Sequence, residues 1–236
     1  MNDIPPVARA YVGATIGLGG LALVSAMPPT FVEPVVFLVL LAAAIAGSTF
    51  KVRLPLSRGG LTLSVSFIAI FMAVLMLDRG AALVVAALSA WTQCTFRPQE
   101  NYPVYRAVFS VAVMVLAADA AGRVYASLGG APGLVPALDL APAVLAAGAT
   151  FFVVNSVLVS LAVSAASGLS FRLVWLDGLL WAAAAYVIEA GAAALMTVLV
   201  VNIGVLVAPV IAAPVWLNYR IFRSRISAMA AANTLA

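Results

Sequence analysis

Residues 142–167 read PAVLAAGATFFVVNSVLVSLAVSAAS, a stretch that contains no charged side chain. An α-helix rises about 1.5 Å per residue, so about 20 apolar residues cross the roughly 30 Å hydrocarbon core of a bilayer. This stretch is therefore long enough to span a membrane as one helix. It sets the fold class that the rest of the chain has to match.

The composition extends that conclusion to the whole chain. Of its 236 residues, 65% are hydrophobic and only 8% are charged, whereas soluble domains carry roughly 25% charge. A water-soluble globule of this composition would have almost nothing polar for its surface. The sequence therefore predicts an integral membrane protein, and it excludes disordered proteins, nucleic-acid-binding modules and disulfide-rich secreted scaffolds.

Eight apolar segments are candidates for membrane spans, so the predicted fold is an all-α polytopic helix bundle. They cover approximately residues 8–27, 32–50, 61–77, 81–96, 104–128, 142–167, 178–200 and 203–222. Six or seven spans with one re-entrant hairpin is the alternative. We expect one domain, a bundle over residues 1–222, followed by a short cytoplasmic tail over 223–236.

The distribution of cations predicts the orientation of the bundle. Lys and Arg accumulate in cytoplasmic loops, and a cytoplasmic N-terminus places ten of the twelve cations of the chain on that side. These ten are Arg9, Lys51, Arg53, Arg58, Arg97, Arg106, Arg172, Arg220, Arg223 and Arg225. Only Arg79 and Arg123 fall on or toward the other side. We therefore expect both termini in the cytoplasm and the bundle in a bacterial inner membrane.

The sequence shows no machinery for catalysis. It has no histidine, and Cys94 is its single cysteine, so the usual general base, haem ligand and most zinc sites are missing. A phosphate-binding loop, a dinucleotide fingerprint and a cluster of metal ligands are likewise not present. We expect a protein that is not an enzyme and that holds neither a cofactor nor a metal.

Charged groups inside predicted spans are the first candidates for function, because charge in hydrocarbon is costly. Glu189 lies near the middle of the seventh segment. It is either a carboxyl group that hydrogen-bonds a neighbouring helix or a contact for an ion, a proton or a ligand. Asp119 and Arg123 are four residues apart in the fifth segment, so they share one helix face. We expect them to form an intrahelical ion pair, with a ligand clamp as the alternative.

Two further features complete the candidate site. Asn155 is central in the sixth segment, where an amide usually joins neighbouring helices. In LTLSVSF (residues 61–67), hydroxyl and apolar residues alternate with a period of two, which predicts an extended or broken start to the third span. Irregular backbone at membrane depth has to be buried in protein or line a cavity. The candidate ligand-binding residues are therefore Ser64, Ser66, Asn155 and Glu189.

Several short motifs resemble a known family. They are FKVRLP (50–55) followed by Gly59-Gly60 and TLSVSF (62–67), WTQC (91–94), VYRAVF (104–109) and FFVVNS (151–156). These motifs resemble the N-terminal membrane domain of bacterial signalling proteins whose cytoplasmic part is an HD-GYP phosphohydrolase or a diguanylate cyclase. The region from the third to the fifth span is distantly similar to the S components of energy-coupling-factor vitamin transporters.

The resemblance implies a membrane module for sensing or binding. In that family the exit helix, here LNYRIFR (217–223), continues into a catalytic domain. Because this chain stops at Ala236, we expect its output to lie in another protein. Glu189 stands where the family pattern leads us to expect a small or apolar residue.

Three functions remain open at this point. The first is a non-enzymatic membrane sensor that binds a small or lipophilic ligand, or a partner, within the membrane. The second is an accessory subunit of a larger membrane complex, and the third is the substrate-binding component of a transporter. Expected partners are membrane lipids and one or more membrane proteins, and no nucleic acid. A sensor or transporter component should have a cavity at the four candidate residues, whereas an accessory subunit should have that region filled by side chains.

Overall fold

The computed structural model describes residues 4–31, 33–49, 51–54, 61–64, 66–96, 103–133 and 138–204. Within these ranges the chain forms seven α-helices, one short 3-10 helix at Leu138–Leu140 and two strands. The helices are α1 (Pro6–Ser25), α2 (Pro34–Thr49), α3 (Ser66–Met76), α4 (Arg79–Thr95), α5 (Val104–Ser127), α6 (Ala141–Ser167) and α7 (Phe171–Ile203). The strands are β1 (Lys51–Leu54) and β2 (Leu61–Ser64).

Local sequence explains several helix ends. Proline occupies the first turn of α1 and of α6, where its missing N–H costs no hydrogen bond. Asp78 caps α4, because its Oδ1 accepts hydrogen bonds from the amides of Gly80 and Ala81 at 2.9 and 3.2 Å. Gly168 ends α6 with a φ of 72°, which glycine adopts without strain.

Four helical stretches are long and apolar enough to cross a membrane: α1, α5, α6 and residues Tyr186–Ile203 of α7. Helices α2 and α3 are apolar but shorter, with 16 and 11 residues. The predicted membrane bundle is thus present. The predicted total of six to eight spans stays a prediction. The eighth segment (203–222) falls outside the described residues beyond Gly204, and so does the tail (223–236).

Successive helices run in alternating directions through the bundle. Ser25 at the end of α1 contacts Arg79 at the start of α4, and Asn155 of α6 meets Tyr186 of α7. The ends of α1, α3, α5 and α7 therefore share one end of the bundle with the starts of α2, α4 and α6. We call this the pocket end, because a pocket lies there beside Asp119. We call the opposite end the hairpin end, because strands β1 and β2 lie there.

The hairpin end contains the one β-structure among the described residues. Strands β1 and β2 pair antiparallel, with Lys51 opposite Ser64 and Leu54 opposite Leu61. The extended start predicted from the alternation over residues 61–67 is confirmed, since β2 covers Leu61–Ser64. The predicted helical class of the fold therefore stands, with one short hairpin added at this end of the bundle.

Helix α3 is the centre of the core. It packs against α2, α4, α5 and α7, and Phe71 and Ile70 are fully buried within it. Near its start, the ring of Phe67 stacks on Phe71 at a centroid distance of 5.5 Å. A helix with this much contact on all sides fixes the positions of the longer helices around it.

Candidate functional site

Asp119 of α5 is shared by two arginines at the pocket end. Its Oδ1 accepts a hydrogen bond from Nε of Arg79 at 2.5 Å, and its Oδ2 accepts one from Nε of Arg123 at 2.9 Å. The carboxylate side chain is only 11% exposed, whereas the Arg123 side chain is 64% exposed. One largely buried negative charge thus neutralises one of two positive charges.

Arg79 also joins a third helix to this cluster. Its terminal nitrogens donate to the backbone oxygen of Ser25 at 3.5 Å and to Oγ of Ser25 at 3.1 Å. The residue after Arg79 is Gly80, and a Cβ at this position would overlap the carbonyl oxygen of Ala26. The close approach of α1 to α4 therefore requires glycine here. A single guanidinium group therefore links the end of α1, the start of α4 and the last turns of α5.

A partly enclosed pocket of about 120 Å³ lies beside these charges. Most of its wall is apolar, including Val74, Leu77, Leu83, Ala118, Gly122 and Pro132. Four of its lining residues are polar: Arg79, Asp119, Arg123 and Tyr125. We call this the Asp119 pocket. Apolar walls with a few convergent polar groups are the usual make-up of a small-molecule site.

Tyr125 is the unusual member of the pocket lining. Its side chain is 2% exposed, and its hydroxyl oxygen is buried without a hydrogen-bond partner among the residues that the structure describes. Gly130 packs directly on the ring, since a Cβ there would lie 2.5 Å from the ring carbons. A buried hydroxyl without a hydrogen-bond partner lowers the stability of a fold by about 1–3 kcal/mol. Tyr125 is therefore a candidate for a functional role that offsets this loss.

The sequence analysis found this site in part. It predicted the Asp119–Arg123 pair, which forms as expected. It missed Arg79 as the second partner of Asp119, because the two residues are 40 positions apart in the sequence. It also gave Tyr125 no role. A tyrosine six residues after an intramembrane Asp was the available signal, but its unpaired hydroxyl is visible only in the fold.

The predicted site around Asn155 has a different character. Asn155 donates a hydrogen bond of 2.8 Å from Nδ2 to the hydroxyl oxygen of Tyr186. The ring of Tyr186 also packs edge-on against Phe67, with centroids 4.6 Å apart, and Phe67 packs likewise on Phe151 at 4.9 Å. Aromatic rings from α3, α6 and α7 thus occupy the space beside the amide.

The other three predicted ligand-binding residues lie around this aromatic cluster. Ser66 begins α3, next to Phe67, and is 1% exposed. Glu189 follows Tyr186 by one helical turn and is partly exposed. Ser64 ends β2, which contacts α7. Asn155 thus bonds to Tyr186 of the aromatic cluster, and Ser66 and Glu189 lie within three residues of cluster members along the chain. The role of all four residues in ligand binding stays a prediction.

The described cations of the topology prediction lie toward the hairpin end. Lys51 and Arg53 are on β1, and Arg106 is in the first turn of α5, whereas Arg79 and Arg123 are at the pocket end. Arg9 and Arg172 lie in the first turns of α1 and α7, also at the hairpin end. Five residues predicted to set the topology fall outside the described ranges; they are Arg58, Arg97, Arg220, Arg223 and Arg225. The side of the membrane that each end faces stays a prediction.

The helical fold, its apolar spans and the charged cluster at one bundle end define a polytopic membrane protein. More specifically, residues 29–219 match the MASE9 family, a family of membrane-associated sensor domains, and the chain belongs to that family. A comparison with curated proteins finds no match. The family is consistent with the predicted sensor module. The predicted likenesses to proteins with HD-GYP or diguanylate cyclase output, and to S components, stay predictions.

Proposed function

We propose that this chain is a non-enzymatic sensor module of a bacterial inner membrane, and that it detects a small or lipophilic ligand bound in the Asp119 pocket. The observation that carries this proposal is the pocket itself. It combines apolar walls, two guanidinium groups for one carboxylate and a buried hydroxyl without a described partner. Membership of a membrane sensor family supports the same function.

The pocket is well placed to transmit binding. Its lining comes from α3, α4, α5 and the segment after α5, and Arg79 connects it to the end of α1. A ligand that changes the hydrogen bonds of this guanidinium acts on three helices at once. Occupancy of the pocket would therefore bias the relative positions of the helices, as a sensor requires.

The test is native mass spectrometry of the purified full chain and of three glycine variants. Gly122 lines the pocket, and a Cβ there would meet Val74 at an ordinary distance of 3.7 Å. Gly122→Leu should therefore fill the pocket, and Gly122→Ala should narrow it without disturbing the fold. Gly17→Leu is the matched control, because a Cβ at Gly17 meets nothing within 4 Å.

We expect a small molecule to remain on the wild-type protein and on Gly17→Leu, and to be lost from Gly122→Leu. Equal retention by all three proteins would place the ligand elsewhere and contradict the proposal. Thermal unfolding of Gly122→Ala and Gly122→Leu shows whether each variant is folded, so a loss of ligand can be separated from a loss of structure.

A specific observation also favours a second function, that of an accessory subunit in a larger membrane complex. The region where a ligand cavity was expected is occupied by the rings of Phe67, Phe151 and Tyr186. Filled space of this kind is expected for a packing subunit. The same purification tests it, since a stoichiometric set of membrane proteins without a small molecule would favour the accessory role.

A further inference from the structure

We infer that the Asp119 pocket takes an amphiphile in which a carboxylate or phosphate head is joined to an apolar group about the size of a benzene ring. This inference rests on the proposed function, because it names the chemical class of ligand for the same pocket. Three independent features carry it: the charge of the cluster, the size and polarity of the pocket, and the unpaired hydroxyl of Tyr125.

The charge of the cluster favours an anion. Two guanidinium groups share the single carboxylate of Asp119. The terminal nitrogens of Arg79 are engaged by Ser25, whereas those of Arg123 donate to no acceptor among the described residues. A guanidinium fork matches carboxylate and phosphate oxygens in two parallel hydrogen bonds. Arg123 is therefore the group that meets the head of the ligand.

The nearest carboxylate along the chain does not offset this positive charge at the pocket. Asp78 precedes Arg79, but its Oδ1 is taken up by two amides at the start of α4. Asp78 is also not among the residues described around the pocket. The side of the pocket formed by Arg79, Asp119 and Arg123 is therefore net positive.

The size of the pocket limits the apolar part. Its volume of about 120 Å³ is slightly below that of an engineered apolar cavity of roughly 150 Å³ that binds benzene. One aromatic ring or a short branched alkyl group is thus the largest group that fits. A ligand with a longer alkyl group would have to extend out of the pocket toward the exposed side chain of Arg123.

Tyr125 adds an uncharged polar atom to a lining whose other polar members are Arg79, Asp119 and Arg123. Its buried hydroxyl can donate one hydrogen bond and accept another, and the described residues use neither. A ligand oxygen inside the pocket would supply the missing partner. Pairing with a ligand explains why the chain has tyrosine here and not phenylalanine.

The experiment measures binding of four small aromatic probes to the full chain in detergent. Benzoate and phenyl phosphate carry the anionic head, benzyl alcohol is neutral and benzylamine is a cation. A ligand that binds only the folded state raises the midpoint of thermal unfolding as its concentration exceeds Kd. We expect benzoate or phenyl phosphate to bind at least about tenfold more tightly than benzyl alcohol, and benzylamine to bind most weakly.

Arg123→Gln is the decisive variant, with Arg106→Gln at the opposite end of the same helix as its control. Arg123→Gln should weaken binding of the anionic probe about tenfold and leave benzyl alcohol unchanged. Arg106→Gln should change neither. Because the Arg123 side chain is 64% exposed, the substitution should leave the fold intact.

The failures of the two proposals are distinguishable. Equal binding of benzoate and benzyl alcohol, unaltered by Arg123→Gln but abolished by Gly122→Leu, would overturn the anionic class and leave the pocket as the ligand site. Binding of all probes that is insensitive to Gly122→Leu would overturn both. A preference for benzoate over phenyl phosphate, or the reverse, that depends on Arg123 supports the inference and selects the head group.

Discussion

Gly19 of α1 lies against Ala112 of α5 so closely that a Cβ on Gly19 would be 2.6 Å from the Cβ of Ala112. Real Cβ atoms do not approach one another to that distance. The backbone of Ala112 is equally near, with its Cα at 2.7 Å, so the contact cannot be relieved by a side-chain rotation. The spacing of α1 and α5 therefore depends on the absence of a side chain at Gly19.

The first prediction compares two glycines of α1. Gly19→Ala should lower the free energy of unfolding by about 1–3 kcal/mol, because it overpacks the α1–α5 contact. Gly17→Ala is the control, since it faces open space and should be neutral or slightly stabilising. Unfolding of the detergent-solubilised protein measures both. Equal effects of the two substitutions would show that the α1–α5 spacing is not as described.

The second prediction concerns Tyr125. Tyr125→Phe should raise the free energy of unfolding of the ligand-free protein by about 1 kcal/mol, because it removes a buried hydroxyl that lacks a described partner. The measurement is unfolding in detergent after ligand has been washed out. A loss of stability would mean that the hydroxyl already has a partner.

The third prediction concerns the hydrogen bond between Asn155 and Tyr186. Tyr186→Phe should lower the free energy of unfolding by about 0.6 kcal/mol, the average for hydrogen bonds between membrane helices, and by no more than about 1.7 kcal/mol. Asn155→Leu combined with Tyr186→Phe should cost less than the sum of the single changes. Strictly additive effects in this double-mutant cycle would contradict a direct bond.

The fourth prediction concerns the two arginines that share Asp119. Asp119→Asn should lower the free energy of unfolding by about 2 kcal/mol, because it leaves two like charges close together in a partly buried site. Arg123→Gln alone should cost less than about 1 kcal/mol, because that side chain is mostly exposed. Adding Arg123→Gln to Asp119→Asn should restore part of the loss. No restoration would argue against repulsion as the cause.

Much of the bundle could be predicted from the sequence, because hydrophobic length determines where helices can cross a bilayer. The segments 8–27, 104–128 and 142–167 agree with α1, α5 and α6 to within a few residues. The period-two pattern at residues 61–67 predicted the extended backbone that the chain adopts at Leu61–Ser64. The antiparallel partner at Lys51–Leu54 was not predicted, because its pairing depends on a contact with a strand ten residues later.

The candidate site could be predicted only where its members are near one another in sequence. The Asp119–Arg123 pair follows from helical spacing alone. Arg79 joins the pair through the packing of α4 on α5. Tyr125 is a candidate because its buried hydroxyl has no hydrogen-bond partner among the described residues. Neither relation leaves a periodic trace in the sequence. The cluster of Phe67, Phe151 and Tyr186 was missed for the same reason, since it combines residues from three helices.

The length of α3 has a mechanical consequence. Its 11 residues extend about 16 Å, roughly half the thickness of the hydrocarbon core. Its first residue is two positions from the end of β2, and its last turn supplies Val74 to the Asp119 pocket. Helix α3 therefore connects the end of the hairpin to the wall of the Asp119 pocket, and longer helices pack around it. A displacement of α3 at the pocket would thus act on β2, the strand that pairs with Lys51 and Arg53 of β1.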